Sequence, residues 1–448
     1  MKRMLIHKNA INPGFISSCS GLLKYIARVS LSALTGLYLF ACQDKVIERY
    51  RVSAPVYMSY TELRSSIKSM PATETKIAKP GKIYFWNNYL FVNEYNKGIH
   101  VIDNSDPANP VFKTFINIPG NVDMSIKGGI LYADSYIDLV ALDISDIQNV
   151  KEVKRIDSIF PYTIPESSSQ LLMEQIEPQK GVVVGYEEKY VEKDAVQYEN
   201  RYYPIYAYDK IALGNNGGVI PTGNGAGVGI GGSMARFTIN KDVLYAINNS
   251  IEILIFDITD VRNPIKMGGV TTMWGIETLF PYKNRLFVGS QTGMLIYDLA
   301  NPFQPQYITT YSHVRSCDPV VVEGNYAYVT LRTGTRCFGN VNRLDIVNIS
   351  DIANPVLVKE YDMTNPHGLG IDNNLLFICD GEAGLKIYDA TDKMKLHEHL
   401  IAQYPDKQAF DVIPLDGVLI MTGDSGIYQY DYSNPKNIVL LSKILIAK

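Results

Sequence analysis

The sequence predicts an all-β fold, a seven-bladed β-propeller preceded by an export signal and interrupted by one insertion. Three observations carry that prediction. A short motif recurs seven times. Four of its six spacings fall at 40–42 residues. Each copy follows a pair of apolar segments joined by a short polar turn. Four short strands per forty residues is the period of a propeller blade. Composition agrees: 448 residues with 31 Tyr, 34 Gly and 22 Pro lean towards strands and turns. Hydrophobic residues at 46% and charged residues at 20% exclude a mostly disordered chain.

The motif is an apolar strand ending in Asp or Asn, then a polar turn that often closes on Asn-Pro. Copies read Ile99-His100-Val101-Ile102-Asp103 with Asn109-Pro110, Leu139-Val140-Ala141-Leu142-Asp143, and Leu254-Ile255-Phe256-Asp257 with Asn263-Pro264. They continue with Leu295-Ile296-Tyr297-Asp298, Asp345-Ile346-Val347-Asn348, Leu385-Lys386-Ile387-Tyr388-Asp389 and Tyr428-Gln429-Tyr430-Asp431. The anchors therefore fall at 103, 143, 257, 298, 348, 389 and 431. Upstream pairs such as Tyr84–Trp86 with Tyr89–Val92, and Val320–Val322 with Tyr326–Val329, supply the earlier strands. The anchor carboxylate is expected to accept backbone N–H groups of its turn, with Pro fixing the next bend. It is read as structural, not catalytic. The last repeat supplies four strands of its own, ending in Ile438–Ala447.

These strand-plus-Asp units resemble the LVIVD repeat family over about 81–448. The resemblance implies a propeller and an exported bacterial protein. It implies no activity.

Residues 1–41 read as a lipoprotein signal peptide. They hold Lys2, Arg3, Lys8, Lys24 and Arg28 and no acidic residue, then the apolar run Val29–Ala41. That run is too short to span a bilayer and suits a signal sequence. Leu39-Phe40-Ala41-Cys42 resembles the lipobox of bacterial lipoproteins, which implies lipidation of Cys42 and a lipid-anchored protein of the cell envelope. Gln43 in place of Asp favours the outer membrane by the same resemblance. Without the signal the chain holds 37 basic and 46 acidic residues, a poor balance for nucleic-acid binding. Residues 42–80 form a tether and docking segment, with a short helix expected over Ser59–Met70. The propeller covers 81–448, with 158–232 inserted between blades 2 and 3.

Candidate sites follow from the repeat alignment. The starts of the inner strands place Lys82, Asp123, Arg236, Glu277, Asp318, His367 and Asp411 around the mouth of a central channel. They could hold a polar ligand or ion, or satisfy one another. The insertion carries Tyr186, Tyr190, Tyr202, Tyr203 and Tyr206, a candidate aromatic interaction surface or a hairpin with cross-strand pairs. Nine extra residues in blade 5, about Arg332–Asn342, separate its second and third strands. Cys317 and Cys337 fall on the same face in an oxidising compartment and are expected to form a disulfide. Cys379 lies in an apolar strand and reads as a buried thiol.

Gly227–Gly232 matches G-x-G-x-x-G, but no strand–turn–helix surrounds it and dinucleotide binding is not expected. Gly423-Asp424-Ser425-Gly426 is a repeat turn. His397-Glu398-His399, read as a strand with both imidazoles on one face, offers two ligands without a third. No metal or cofactor is expected. Phosphate-loop, nucleophile-elbow and zinc-protease motifs are absent. The expected function is a non-enzymatic binding or scaffolding lipoprotein whose partner is a glycan, peptide or envelope protein. The alternative is a polysaccharide hydrolase or lyase using Asp123, Asp318 and Asp411 at the channel mouth.

Overall fold

The computed structural model describes residues 47–72, 76–165, 167, 171–194, 228, 230–316, 319–333 and 341–447. The chain divides into two units, Met1–Val52 with Glu188–Tyr203, and Ser53–Glu187 with Pro204–Lys448. The larger unit is a series of antiparallel sheets with a propeller-like order. Six sheets hold four strands each, always in chain order, and one further sheet is built on the same four-strand plan with two additions. Their first and last strands are Pro80–Trp86 and Val111–Asn117, Met124–Lys127 and Lys151–Ile156, Phe237–Asn240 and Ile265–Thr271, and Ile276–Tyr282 and Gln306–Ser312. The series ends with Val320–Glu323 to Val356–Asp362, Leu369–Asp372 to Leu400–Tyr404, and Ala409–Leu415 to Val439–Leu445.

The repeat anchor shapes all seven sheets in the same way. Its side-chain oxygen accepts the N–H two residues on: Ser105 to Asp103 at 3.1 Å, Ser145 to Asp143 at 3.0 Å and Thr259 to Asp257 at 2.8 Å. The rest are Ala300 to Asp298 at 2.6 Å, Ser350 to Asn348 at 2.8 Å, Thr391 to Asp389 at 2.9 Å and Ser433 to Asp431 at 2.8 Å. A second Asp or Asn, three residues later, repeats the device: Asp106, Asp146, Asp260, Asn301, Asp351, Asp392 and Asn434 each accept an N–H two residues on. Two successive Asx turns thus carry the chain from each third strand to the fourth. The fourth strand then bulges. Its pairing with the third strand skips one residue in every sheet, at Lys113, Val153, Met267, Ile308, Val358, Ile401 and Leu441. A bulge adds twist to an edge strand and spoils it as a template for pairing with other chains.

The core lies between sheets. Ile83, Leu90, Val92 and Ile102 of the first sheet pack with Ile413, Ile420 and Ile427 of the last. The same two sheets exchange a buried amide pair: Asn104 Nδ2 donates to Gln429 Oε1 at 2.8 Å, and Gln429 Nε2 to Asn104 Oδ1 at 2.7 Å. Tyrosine is used where one end of a side chain is apolar and the other meets a turn. Buried Tyr132 donates its hydroxyl to Val261 O and Tyr245 to Pro302 O, both at 2.6 Å, in the turn of the next sheet. Fourth strands face solvent, with Val111, Ile265, Val356 and Val439 exposed.

The segment ahead of the repeats is docked, but not as one long helix. The helix stops at Tyr60–Ser65, capped by Ser59, whose hydroxyl accepts Glu62 N at 3.2 Å. Ser65 and Ser66 hydroxyls turn back onto helix carbonyls. Lys68–Pro71 then pairs as a strand with Val111–Asn117, covering the outer edge of the first sheet. Satisfying that edge outweighs helix propensity here. Leu63 is fully buried with Tyr136, Ile137 and Val182. Arg64 reaches the buried Asp138 at 3.1 Å. On the inner edge Ile230–Gly231 pairs with Pro80–Trp86. A Cβ at Gly231 would lie 2.8 Å from the Tyr84 ring, so only glycine lets that strand approach. The tyrosine-bearing part of the insertion is the strand Val182–Asp194. It lies beside Ile47–Met58 in a three-stranded sheet. Its neighbour there is part of the tether; residues 195–227 of the insertion lie outside the described residues.

The anchor position needs an acceptor oxygen and no charge, as Asn348 shows. Asp257→Asn should leave stability within a few tenths of a kcal/mol, while Asp257→Ala should cost about 1 kcal/mol. Urea unfolding of the two variants checks this, and equal losses would show that the turn bond is not what holds the anchor.

Candidate functional site

The repeat alignment places the inner-strand positions where chemistry could gather. Lys82 is in Pro80–Trp86, Glu277 in Ile276–Tyr282 and Asp411 in Ala409–Leu415. Asp123, Arg236 and His367 stand just ahead of their strands. Asp318 lies outside the described residues. These groups are enclosed: Lys82, Asp123, Glu277, His367 and Asp411 are at most 6% exposed, and Arg236 is half-exposed. The sheets pack closely enough at their inner edges to enclose these groups.

Burial sets their electrostatics. Loss of water pulls the Lys82 ammonium down to about 8, against the attraction of Asp123 and Asp411. It pushes the Asp123 carboxyl up to about 6, although Lys82 and the N–H groups of Arg236 and Met124 favour its charged form. Asp411 is driven well above the usual carboxylate range by the same cause. Glu277 is also raised by burial, opposed by a hydrogen bond from Gln291 and by Arg332, Arg236 and Lys82. Burial, with the Arg332 charge beside it, lowers His367 to about 3 and keeps its imidazole neutral.

The hydrogen bonds show how far these groups are committed. Asp123 accepts Arg236 N at 2.5 Å and Phe237 N at 3.2 Å through Oδ2, and Met124 N at 2.7 Å through Oδ1. It ties the second sheet to the third. Lys82 Nζ donates to Met234 O. Asp411 Oδ1 accepts Val412 N at 2.6 Å, while its Oδ2 has no hydrogen-bond partner among the described residues. Gln291 Nε2 donates to Glu277 Oε1 at 3.0 Å. Arg332 and Gln291 were not among the positions singled out in the sequence. Arg332 follows a second strand rather than beginning a first, so the alignment could not find it.

Other candidates are placed apart. Tyr190 is 61% exposed, with the Arg49 guanidinium 4.4 Å from its ring centre. Tyr186 is half-buried in the same strand, and burial pushes its hydroxyl up to about 12. Tyr202, Tyr203 and Tyr206 lie outside the described residues, as do Cys42, Cys317 and Cys337. Cys379 is a buried free thiol, raised well above its ordinary value by burial. His397-Glu398-His399 lies in the 3-10 turn Leu396–His399, not in a strand, because the chain turns tightly into its sixth outer strand. Among the described residues no group of three or more His, Cys, Asp and Glu is arranged to hold a metal ion. Gly423 and Gly426 close a hairpin between strands, as the repeat turn required. The Arg332–Asn342 stretch separates the second and third strands of the fifth sheet, also as expected.

The LVIVD repeat, as a sequence family, matches residues 82–117 and 315–363. No curated protein matches the chain. Among solved structures, a protein from Lactobacillus plantarum is similar at TM-score 0.52 and 10% identity, covering 82% of this chain and 97% of that one. Sqt1 from Saccharomyces cerevisiae gives 0.46 at 7% identity over 88% and 89%. The computationally designed Ika8 protein gives 0.43 at 10% identity over 81% and 96%. The first of these likenesses shows a propeller-like fold alone.

Lys82→Met removes the cation that holds Asp123 and Asp411 down. A carboxyl whose folded pKa lies above its unfolded value of about 4 binds extra protons when folded, so stability falls as pH rises between the two values. In the native chain the Asp123 part of that fall ends near its folded value of about 6. In the variant it should extend to higher pH. Urea unfolding of both proteins between about pH 5 and 8 checks this, and parallel profiles would show that Lys82 does not govern the two carboxyls.

Proposed function

From a chain that carries LVIVD repeats, we propose a seven-bladed propeller, exported by residues 1–41 and tethered through lipidated Cys42, that acts as a non-enzymatic binding or scaffolding protein of the cell envelope. The observation that carries the non-enzymatic part is the commitment of Asp123. Asp123 spends both oxygens on backbone N–H groups of two sheets. A general acid or base must instead offer an oxygen to substrate. This argues against Asp123 as the acid or base of the polysaccharide-cleaving alternative, whose other candidates are Asp318 and Asp411.

The docked segment supports the tether. Residues 59–71 are fixed to the first two sheets by Leu63, by Arg64 on Asp138 and by the strand Lys68–Pro71. A lipid ahead of such a segment would hold the sheets at a set distance from the bilayer. The binding surface would be the insertion and the Arg332–Asn342 stretch, with Cys317 and Cys337 joined as a disulfide beside it. The partner would be a peptide, glycan or envelope protein.

Val182 and Val183 are buried, so the deletion that tests the surface is 195–227. Crosslinked pull-down from intact cells should capture a partner with the full chain and lose it with the deletion, at an unchanged melting temperature. Equal capture by both forms would remove the insertion as the binding surface. Cys42→Ser should move the protein from the membrane to the soluble fraction. A variant that stays in the membrane fraction would overturn the lipid tether.

A further inference from the structure

The two roots of the insertion frame a small pocket whose chemistry differs from that of the buried cluster beside it. Phe160 stands at the start of the insertion and Arg236 just after its end. With Phe237, Ile247 and Asn248 they line a cavity of about 10 Å³, room for about one water. The wall carboxylates are already used. Asp123 holds backbone N–H groups, and Asp134 Oδ1 accepts Val122 N at 2.8 Å and Asp123 N at 3.1 Å. The Arg236 guanidinium is not. Among the described residues its side chain makes one long hydrogen bond, to Ile247 O at 3.4 Å, and no ion pair. The guanidinium acts on the Glu277 carboxyl only at longer range, and its fork of donors, with no ion pair among the described residues, matches a planar oxyanion.

A second group in the same pocket lacks a partner. Asn248 Nδ2 donates to Glu252 Oε2 at 2.5 Å, but Asn248 Oδ1 is buried and accepts nothing among the described residues. An unmet buried acceptor costs stability and marks a place where a donor belongs. The pocket lining therefore includes a cationic fork and an amide acceptor, together with Phe160 and Phe237, whose ring centres are 5.7 Å apart.

We propose that this pocket binds the C-terminal carboxylate of a polypeptide. The carboxylate sits on the Arg236 guanidinium, and the N–H of the terminal residue donates to Asn248 Oδ1. Capture of a C-terminal carboxylate is a recurring mode of peptide recognition; here side chains would take the part that backbone N–H groups play elsewhere. A uronic acid shares the carboxylate but brings hydroxyls in place of the amide.

Thermal-shift titration of the mature full-length protein tests this. The probes are acetyl-triglycine with a free carboxylate, the same peptide amidated, and sodium glucuronate. The free acid should raise the melting temperature in a saturable way. The amide should bind about tenfold more weakly or worse, as loss of a charged hydrogen bond implies. Arg236→Gln should abolish the shift while melting near the native temperature, because its guanidinium holds little of the fold. Asn248→Ala should weaken the acid without abolishing it. Equal shifts from acid and amide, a shift that survives in Arg236→Gln, a response to glucuronate but not peptide, or no shift at millimolar peptide would each overturn the proposal. The insertion-dependent capture described above reads out residues 195–227, so either result can fail while the other stands.

Discussion

Seven carboxylate or amide oxygens, each accepting the N–H two residues on, hold this architecture in register. Each bond fixes where a third strand stops and how the chain leaves it. The following Asx turn and the bulge then set where the fourth strand begins and how far it twists. A weak local interaction, repeated at all seven anchors, orders sheets whose packing energy is far larger. Charge contributes as well. Hydrogen bonds from Ser145, and then the Arg262 guanidinium, hold the Asp143 carboxyl down to about 2. Asp103 and Asp431 are lowered by their turn serines in the same way. These groups favour the fold above their unfolded values near 4. That contribution fades as pH falls towards 2.

The inner edges work in the opposite sense. Enclosing Lys82, Asp123, Glu277 and Asp411 removes their water, and the cost shows in an ammonium pulled down and three carboxyls pushed up. Breaking such a cluster by removing one partner is costly, because the remaining charge stays buried. The outer turns gain from ionised carboxylates and the inner edges strain against them. Stability therefore peaks where the outer groups are charged and the inner ones are still partly protonated.

The repeat was legible because its signal is local: strand, acceptor, turn and Pro stand within a dozen residues. The same register picked out Lys82, Asp123, Arg236, Glu277 and Asp411, and the charges of the other four act on Lys82. Their burial was not legible, since enclosure depends on how closely neighbouring sheets approach. The docked helix was read too long, because Ser59–Met70 has no residue that forbids a helix and the open edge that claims Lys68–Pro71 is distant in sequence. The same reason hid the pairing of Val182–Asp194 with Ile47–Met58. Arg332 escaped because it belongs to no repeated position. Arg236 was visible as a residue type, but that its guanidinium makes no ion pair among the described residues is a property of the assembled neighbours.

Every sheet of four is drawn from consecutive strands, and the first and last sheets meet through Asn104, Gln429 and apolar side chains rather than through a shared strand. The chain has no need to wait for its far end before its first sheet is complete. Contacts within each sheet are short in sequence, which favours rapid local formation. A chain emerges from synthesis in order, so its sheets can mature one after another, each shielding the last. Joining the two ends is then a docking of finished surfaces. An incomplete chain would carry finished sheets with one apolar face uncovered, rather than an unpaired strand.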